Sequence, residues 1–303
     1  MAETMTIGVY GLPPAEIEPV PSSAVQLSPL IPGAKKLEDL AGMLDSVVML
    51  APPGTIERRY ALALALKALA PGGRLVAMAP IKRGGARLPA ELEAFGLTVA
   101  SAPRRHHRVC EAHLSGPLTG IEAALTEGAP RIVPELGLWS QPGVFADGRL
   151  DPGSALLIEH LPLLEGKGAD LGAGIGLLTR AVLPSPLVTA LLLVEIDRRA
   201  LECAEHNIVD RRAAFLWGDV RTVALPEGLD FVVMNPPFHD GGTEDRALGQ
   251  AFIRRAAGCL RKGGRAYVTA NRHLPYEDVL KASFKLVRLI AEAEGYKLFE
   301  AIR

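Results

Sequence analysis

Strand-like and helix-like segments alternate along the C-terminal half of the chain, and this pattern constrains the fold most. Val188–Ile196 is a continuous apolar run, which is typical of a strand covered on both faces of a sheet. Ala213–Trp217 and Leu229–Met234 have the same character, and a helix with one apolar face is predicted over Arg246–Leu260. Strands that alternate with helices predict an α/β fold with a doubly wound, mostly parallel sheet.

The last two apolar runs break this alternation. Phe284–Ile290 and Tyr296–Ile302 are separated by too few residues for a crossover helix. We therefore expect them to pair antiparallel, which gives the sheet one antiparallel strand.

The N-terminal half contains a sequence pattern similar to one in the C-terminal half. Asp45-Ser-Val-Val-Met resembles Asp230-Phe-Val-Val-Met, and each is followed by a proline pair, an alanine-rich helix and a Gly-Gly-Arg strand start at Gly72 and Gly263. We infer two tandem Rossmann-like copies, of which the first is degenerate because it lacks a glycine loop before Asp45 and an asparagine at its Pro-Pro turn. Convergence of two α/β units on common turn chemistry is the alternative.

The composition is that of a globular chain, and its length suggests two domains. A turn-rich stretch between them predicts the domain ranges 1–135 and 136–303. Of its 303 residues 49% are hydrophobic and 22% charged, and the net charge of -1 means that any RNA contact must come from local patches. The three cysteines form no CxxC pair, so we expect buried thiols and neither a disulfide framework nor a zinc site. Neither a signal peptide nor a membrane-spanning run is evident, so we expect a cytoplasmic protein.

A glycine-rich loop follows the first strand of the C-terminal half, Lys167–Leu171. Gly172, Gly174 and Gly176 allow a sharp turn and a close approach of the backbone to a ligand. A dinucleotide fingerprint needs its third glycine one position later, where Leu177 stands. The spacing favours S-adenosylmethionine, which has no pyrophosphate, over a nicotinamide or flavin, and a purely structural loop is the alternative.

Three acids in the same half are candidates for holding that cofactor. Glu195 ends the second strand, where a carboxylate can accept hydrogen bonds from both ribose hydroxyls, and Asp219 follows the third strand, where it can accept from the adenine amine. Asp170 is expected to fix the loop and to meet the ammonium end of the cofactor. A single Asp or Glu at a strand end is more often only a surface acid, which is the alternative for Glu195 and Asp219. The order of the glycine loop and these two acids along the chain argues against coincidence.

The tetrapeptide Asn235-Pro236-Pro237-Phe238 follows the fourth strand directly. A conjugated exocyclic amine is a poor nucleophile, and two acceptors, the Asn235 side-chain oxygen and the Pro236 carbonyl, favour its pyramidal form. Both prolines hold that carbonyl in a fixed direction, and Phe238 offers a ring on which a base can stack. Preorganised dipoles suffice for methyl transfer, so no metal is expected. We count Asn235 with the cofactor-binding residues as well; an ordinary Asn-Pro turn is the alternative.

Several of these motifs together resemble a known family. Asn-Pro-Pro-Phe-His-Asp-Gly at 235–241, Ala270-Asn271 with Leu274-Pro275-Tyr276, and the segments Pro142–Phe145 and Leu150–Ser154 are similar to those of the bacterial small-subunit ribosomal RNA guanine-N2 methyltransferases. The resemblance covers roughly residues 140–303. It implies S-adenosylmethionine as cofactor, guanine N2 in ribosomal RNA or the 30S particle as target, and an N-terminal domain of the same fold that has lost cofactor binding.

Four further features are candidates for substrate contact. His239, Asn271 and Tyr276 could border the base pocket, although a structural histidine and loop-capping residues are the alternatives. The run Arg104–Arg108, with Lys82, Arg83 and Arg87, is the best candidate for an RNA patch in the first domain, although charge runs are often merely solvated.

Two other functions remain open from the residues alone. The same tetrapeptide suits methylation of adenine N6 or of a protein glutamine, because each presents a delocalised amine or amide. A non-catalytic RNA-binding assembly factor is the rival from another class. The intact set of Asn235, Gly172, Glu195 and Asp219 argues against such decay of the second copy.

Overall fold

The computed structural model describes residues 5–237, 239–240, 243–244 and 246–303, without the side chains of 238–246. The chain divides into two compact units, one of residues 1–130 with 141–143 and one of residues 131–140 with 144–303. The boundary expected from the sequence, between 135 and 136, lies a few residues beyond the first of these breaks.

The first unit is built on a six-stranded sheet in the order β2-β1-β3-β4-β6-β5. Only β6 runs against the other strands. Its strands are β1 (Ile7–Tyr10), β2 (Val25–Gln26), β3 (Leu44–Leu50), β4 (Leu69–Pro80), β5 (Ala100–Arg104) and β6 (His107–His113). Its helices are α1 (Thr55–Ala68), α2 (Leu88–Glu93) and α3 (Ile121–Gly128), with short 3-10 turns at Leu37–Leu40 and Gly85–Arg87.

The second unit is built on a seven-stranded sheet in the order β11-β10-β9-β12-β15-β17-β16, in which only β17 runs against the others. Its strands in that sheet are β9 (Gly166–Leu171), β10 (Val188–Glu195), β11 (Ala213–Trp217), β12 (Leu229–Met234), β15 (Leu260–Asn271), β16 (Leu286–Ala293) and β17 (Tyr296–Ile302). Its helices are α4 (Pro152–His160), α5 (Leu177–Val182), α6 (Arg198–Asn207), α7 (Arg246–Cys259) and α8 (Tyr276–Ser283), and two small pairs are β7 (Arg131–Val133) with β8 (Leu138–Ser140) and β13 (His239–Asp240) with β14 (Thr243–Glu244).

The strand order of the first sheet recurs in the second. Removing β11 from the second sheet leaves β10-β9-β12-β15-β17-β16, which matches β2-β1-β3-β4-β6-β5 strand for strand. In both units the one reversed strand lies second from the same edge. The predicted α/β class, with two tandem Rossmann-like copies and an antiparallel strand, is confirmed.

Equivalent side chains also make equivalent contacts in the two units. The Asp45 carboxylate on β3 accepts a hydrogen bond from the Thr6 N–H at 2.7 Å, and the Asp230 carboxylate on β12 accepts one from the Lys167 N–H at 2.7 Å. These two aspartates begin the similar sequence segments of the two halves. Their shared contact supports duplication over convergence.

Strand β12 shows why its sequence is apolar throughout. Val232 and Met234 belong to one buried cluster and Phe231 and Val233 to another, so alternate side chains enter cores on opposite faces of the sheet. One boundary differs from the sequence expectation. Strand β15 begins at Leu260, ahead of the Gly-Gly pair, because Leu260 already pairs with Leu229 before a shift in register.

The described part of the chain lacks two features that would point to other functions. No helix there is long and apolar enough to cross a membrane, and no group of three or more metal-ligating side chains was found there. Cys110, Cys203 and Cys259 are free and buried.

Candidate active site

The glycine loop lies at the carboxyl end of β9, which lies between β10 and β12 in the seven-stranded sheet. Gly172, Gly174 and Gly176 have φ angles of +76°, +54° and +88°, a left-handed conformation that other residues adopt only with strain. A Cβ on Gly174 would meet no atom within 4 Å, so this face of the loop is open. A Cβ on Gly172 would lie 4.0 Å from Cδ of Pro237, which places the predicted cofactor loop beside the Pro-Pro turn.

Asp170 is completely buried at the end of β9. Its Oδ2 accepts hydrogen bonds from the N–H and the hydroxyl of Thr179 at 3.1 and 2.8 Å, which ties the strand to α5. Its Oδ1 has no partner among the described residues. Burial, reinforced by the nearby Glu195 carboxylate, raises the pKa of Asp170 to about 7.

Glu195 ends β10, next to β9, and is also buried. Its Oε2 accepts a hydrogen bond from the Gly174 N–H at 2.8 Å, and its Oε1 accepts from the Ile196 and Asp197 N–H groups at 2.8 and 2.9 Å. Burial raises the pKa of this carboxyl above its ordinary value, against the effect of the three hydrogen bonds. A hydrogen bond therefore joins the glycine loop directly to Glu195, one of the acids predicted to bind the cofactor.

Asp219 lies two residues beyond the end of β11, the neighbour of β10. Its carboxylate accepts from the Arg221 N–H at 2.8 Å and pairs with the Arg221 guanidinium at 2.7 Å. Asp170, Glu195 and Asp219 thus follow three adjacent strands along one edge of the sheet.

Asn235 follows β12, on the other side of β9, and its side-chain amide is held by two groups. The Nδ2 group donates to Oδ2 of Asp151 at 2.6 Å and to Oγ of Ser154 at 3.0 Å. Asp151 caps the N-terminus of α4, where the same Oδ2 accepts from the Ser154 N–H at 2.9 Å. The amide nitrogen is therefore occupied within the protein, and the amide oxygen is the end that remains to accept from a ligand.

The corresponding turn of the first unit is closed by an arginine. Arg58 on α1 is completely buried, and its Nη1 donates to the carbonyls of Pro52 and Pro53 at 3.1 and 2.8 Å. Its guanidinium also forms a bidentate pair with Glu91, with both distances 2.6 Å. The Pro-Pro carbonyls of the first unit are thus already satisfied, which agrees with its degenerate sequence.

The residues present fit S-adenosylmethionine. The unpartnered Oδ1 of Asp170 is suited to an ammonium group, and Glu195 and Asp219 offer carboxylates farther along the same edge for ribose hydroxyls and an exocyclic amine. The open side of the loop at Gly174 allows a ligand to approach the loop backbone.

The remaining predicted site residues have different outcomes. Phe238 and the side chain of His239 lie outside the described residues. Asn271 ends β15 at the same edge, and its Oδ1 accepts from the His273 N–H at 3.2 Å, a contact that agrees with the loop-capping alternative. Tyr276 is completely buried, and a Cβ on Gly249 would lie 1.8 Å from its hydroxyl. This packing against α7 speaks against the predicted contact of Tyr276 with a substrate base.

Asp151 and Ser154 contact Asn235 but were not predicted as site residues. Their segment is part of the sequence resemblance to the family, which by itself assigns them no role. Asp-Pro-Gly-Ser is a helix-start pattern, with an N-cap aspartate followed by proline at the first helical position. That signal places a helix here, but not its contact with a residue more than 80 positions away.

Comparison with known proteins identifies the family. The family model for the methyltransferase small domain matches residues 135–300. The ribosomal RNA small subunit methyltransferase C of Shewanella loihica is 33% identical over 265 residues, which cover 84% of this chain and 76% of that protein. The chain belongs to this family. It is an S-adenosylmethionine-dependent methyltransferase.

Two further comparisons extend the match over the whole chain. The ribosomal RNA small subunit methyltransferase C of Pseudomonas paraeruginosa is 31% identical over 288 residues, or 92% of this chain and 86% of that protein. The T. thermophilus 16S rRNA N2 G1207 methyltransferase, solved in complex with AdoMet and guanosine, aligns with a TM-score of 0.78 at 25% identity, covering 100% of this chain and 89% of that one. The small subunit methyltransferase C family thus accounts for both units.

Proposed function

We propose that this chain transfers a methyl group from S-adenosylmethionine to the exocyclic N2 amine of a guanine in 16S ribosomal RNA. The observation that carries the proposal is the Asn235 amide, whose nitrogen is bound by Asp151 and Ser154 so that its oxygen is left for the target amine. The family relatives named for small-subunit ribosomal RNA, and a structural relative that binds guanosine, support guanine as the base. A ribosomal substrate also supports the bacterial cytoplasm as the location.

The cofactor is held along the edge formed by β9, β10 and β11. S-adenosylmethionine supplies a methyl group on a positively charged sulfur, which makes that methyl electrophilic. In our proposal Asp170 Oδ1 binds the ammonium, Glu195 binds the ribose hydroxyls and Asp219 accepts from the adenine amine. Gly172, Gly174 and Gly176 let the loop backbone approach the ligand closely.

The amine is activated by acceptors that do not move. Asn235 Oδ1 and the Pro236 carbonyl accept the two amine hydrogens and stabilise the positive charge that develops on nitrogen. Pro236 is buried and Pro237 half-buried, and their fixed φ angles keep the carbonyl directed. Phe238 is proposed to stack on the base, and His239 to border it, so the nucleotide must leave its helix stack to reach the turn.

The proposed reaction can be tested in cells. Ribosomal RNA from cells that lack this protein should be missing one N2-methylguanosine in the small subunit, detected by nucleoside mass analysis. The wild-type gene should restore that nucleoside, and the Asn235→Ala gene should not. Unchanged N2-methylguanosine in the deletion strain, with loss of N6-methyladenosine or methylglutamine instead, would overturn the guanine assignment.

We further propose that the first unit, assigned from the sequence to about residues 1–135, binds the RNA through a basic surface. This basic surface consists of Lys82, Arg83, Arg87, Arg104, Arg105 and Arg108. Its two segments are adjacent, because the Ile81 N–H donates to the His106 carbonyl at 3.0 Å. Arg104 and Arg105 are exposed at the tip of the β5–β6 hairpin, and no acidic residue occurs in 81–90 or 100–108. Such a local patch offsets the absence of net positive charge over the chain.

The basic surface predicts a particular salt dependence. Arg104→Gln with Arg105→Gln should weaken binding to 30S particles and lower the log-log slope of affinity against salt by about two, since each cation releases about one counterion. Affinity for S-adenosylmethionine should not change. Lys35→Gln with Lys36→Gln, beside β2 at the opposite end of the sheet, is the matched control. Equal effects of the two double variants would contradict a role for the hairpin.

A further inference from the structure

One carboxylate oxygen of Asp151 accepts hydrogen bonds from two neighbouring groups. Its Oδ2 accepts from the Ser154 N–H at 2.9 Å, which caps α4, and from Asn235 Nδ2 at 2.6 Å. Its Oδ1 lies 3.4 Å from the Tyr296 hydroxyl. Asp151 is buried, with 8% of its surface exposed. Partners on both oxygens fix the carboxylate plane in a place where water competes little.

The chemistry of this contact decides which way the Asn235 amide points. An ionised carboxylate only accepts hydrogen bonds, so the amide can present only its NH2 end to Asp151. The amide oxygen is then the end of the group that neither Asp151 nor Ser154 contacts. The opposite orientation would place the Asn235 NH2 group against the NH2 group of the target, and two donors cannot bond.

Ser154 and Tyr296 reinforce this orientation from two different elements. Ser154 Oγ, on α4, accepts a second hydrogen bond from Asn235 Nδ2 at 3.0 Å. Tyr296 begins β17, and its ring comes so close to α4 that a Cβ on Gly153 would lie 2.7 Å from it. Charge-assisted hydrogen bonds are stronger than neutral ones, and donation to a carboxylate polarises the amide and makes its oxygen a better acceptor.

We propose that Asp151 is a positioning residue for methyl transfer: with Ser154 it holds the Asn235 side chain so that its oxygen receives the target amine. This inference rests on the proposed function of Asn235. The effect of Asp151 in this proposal passes through its hydrogen bond to Asn235.

The Asp151→Ser variant separates the two roles of Asp151, which are capping α4 and holding the Asn235 amide. Serine is as good an N-cap as aspartate but is too short and neutral to replace the carboxylate at Asn235. We expect kcat for methylation of 30S particles to fall by up to about 100-fold, as for misplacement of a reacting group by about 1 Å. The KM for S-adenosylmethionine and the melting temperature should stay near those of the wild type.

A double-mutant comparison identifies action through Asn235. Asp151→Ser should cost nothing further in an Asn235→Ala background, measured by single-turnover transfer of labelled methyl. Asp151→Asn, which keeps an acceptor oxygen and the cap, should recover part of the lost rate. Asp210→Ser is the matched control, because Asp210 also accepts a backbone N–H, from Arg212 at 2.9 Å, but lies before β11 at the opposite edge. Its kcat should equal that of the wild type.

A measurement without turnover completes the test. The Asn235 side-chain amide signals in NMR spectra, identified by their loss in Asn235→Ala, should exchange slowly in the wild type and in Asp210→Ser and rapidly in Asp151→Ser. Equal fold-losses from Asp151→Ser in both backgrounds, or unchanged exchange, would overturn the positioning role. Absence of N2-methylguanosine with the wild-type chain would refute the proposed function, and the exchange measurement would still decide on Asp151.

Discussion

Asn235 carries the chemistry in this account, and its replacement gives the first prediction. Asn235→Ala should lower the methyl-transfer rate by about 10²–10³, the usual cost of removing one preorganised polar group. The affinity for S-adenosylmethionine should change little, because the acids proposed to bind it follow other strands. Glu195→Gln is the contrasting variant and should weaken cofactor binding first. Wild-type turnover by Asn235→Ala would show that the catalytic assignment is wrong.

Asp170 predicts a pH dependence of cofactor binding. Its pKa is raised to about 7 by burial, so below that pH the carboxyl is largely protonated in the free protein. A cofactor ammonium favours the ionised form, so binding should release protons and should weaken as the pH falls below about 7. Calorimetry at pH 6 in two buffers of different ionisation enthalpy measures that release.

The control for this prediction is Asp170→Asn. It should release fewer protons on binding than the wild type. The raised pKa of Asp170 also predicts how the stability of the cofactor-free protein depends on pH. Because the folded-state pKa exceeds the unfolded one, the contribution of Asp170 to the free energy of unfolding falls as the pH rises from about 4 to about 7. Equal proton release by Asp170→Asn and the wild type would contradict the assignment of that release to Asp170, and an equal pH dependence of urea unfolding for the two proteins would contradict the stability statement.

At the scale of residues, the sequence predicted those site residues whose location depends only on their following a strand directly. The glycine loop, Glu195, Asp219 and Asn235 stand next to strand ends, and parallel strands bring their carboxyl ends to one edge. Asp151 was missed because its contact with Asn235 joins segments far apart in the chain. Tyr276 shows the opposite case, because a residue that follows a strand at the correct edge can still turn into the core.

At the scale of elements, Arg58 locks α1 to the Pro-Pro turn of the first unit. Arg58→Met leaves Glu91 nearly buried without its partner and two carbonyls unsatisfied, so it should lower the free energy of unfolding of this unit by about 3–5 kcal/mol. Arg59→Met is the matched control. Its side chain is 35% exposed and lies 3.8 Å from Glu127, so about 1 kcal/mol or less is expected.

Urea unfolding followed by hydrogen exchange in the first unit measures both variants. Similar losses for Arg58→Met and Arg59→Met would show that the buried pair does not lock the turn. The pair itself could not be predicted from sequence, because an arginine in an alanine-rich helix resembles any exposed helical charge. The strands could be predicted, because continuous apolar runs such as Leu229–Met234 leave few alternatives in a chain with this alternation.

At the scale of the whole molecule, the chain consists of two copies of one topology, of which only the second retains the features of a cofactor site. The first has no glycine loop after β1, and Arg58 occupies its turn carbonyls. Calorimetry with the full chain should therefore give one S-adenosylmethionine per molecule. Glu195→Ala should remove the binding signal without exposing a second, weaker site. A stoichiometry near two would contradict the degenerate-copy interpretation.

The central claim, guanine N2 methylation of small-subunit ribosomal RNA, is tested most directly on the product. Purified protein and labelled S-adenosylmethionine are incubated in parallel with 30S particles, naked 16S ribosomal RNA and a glutamine-bearing protein, and the digests are separated. The account predicts label in N2-methylguanosine from the ribosomal substrates with the wild type, and a loss of about 10²–10³ in rate with Asn235→Ala. Label in N6-methyladenosine or methylglutamine, with none in N2-methylguanosine, would contradict it.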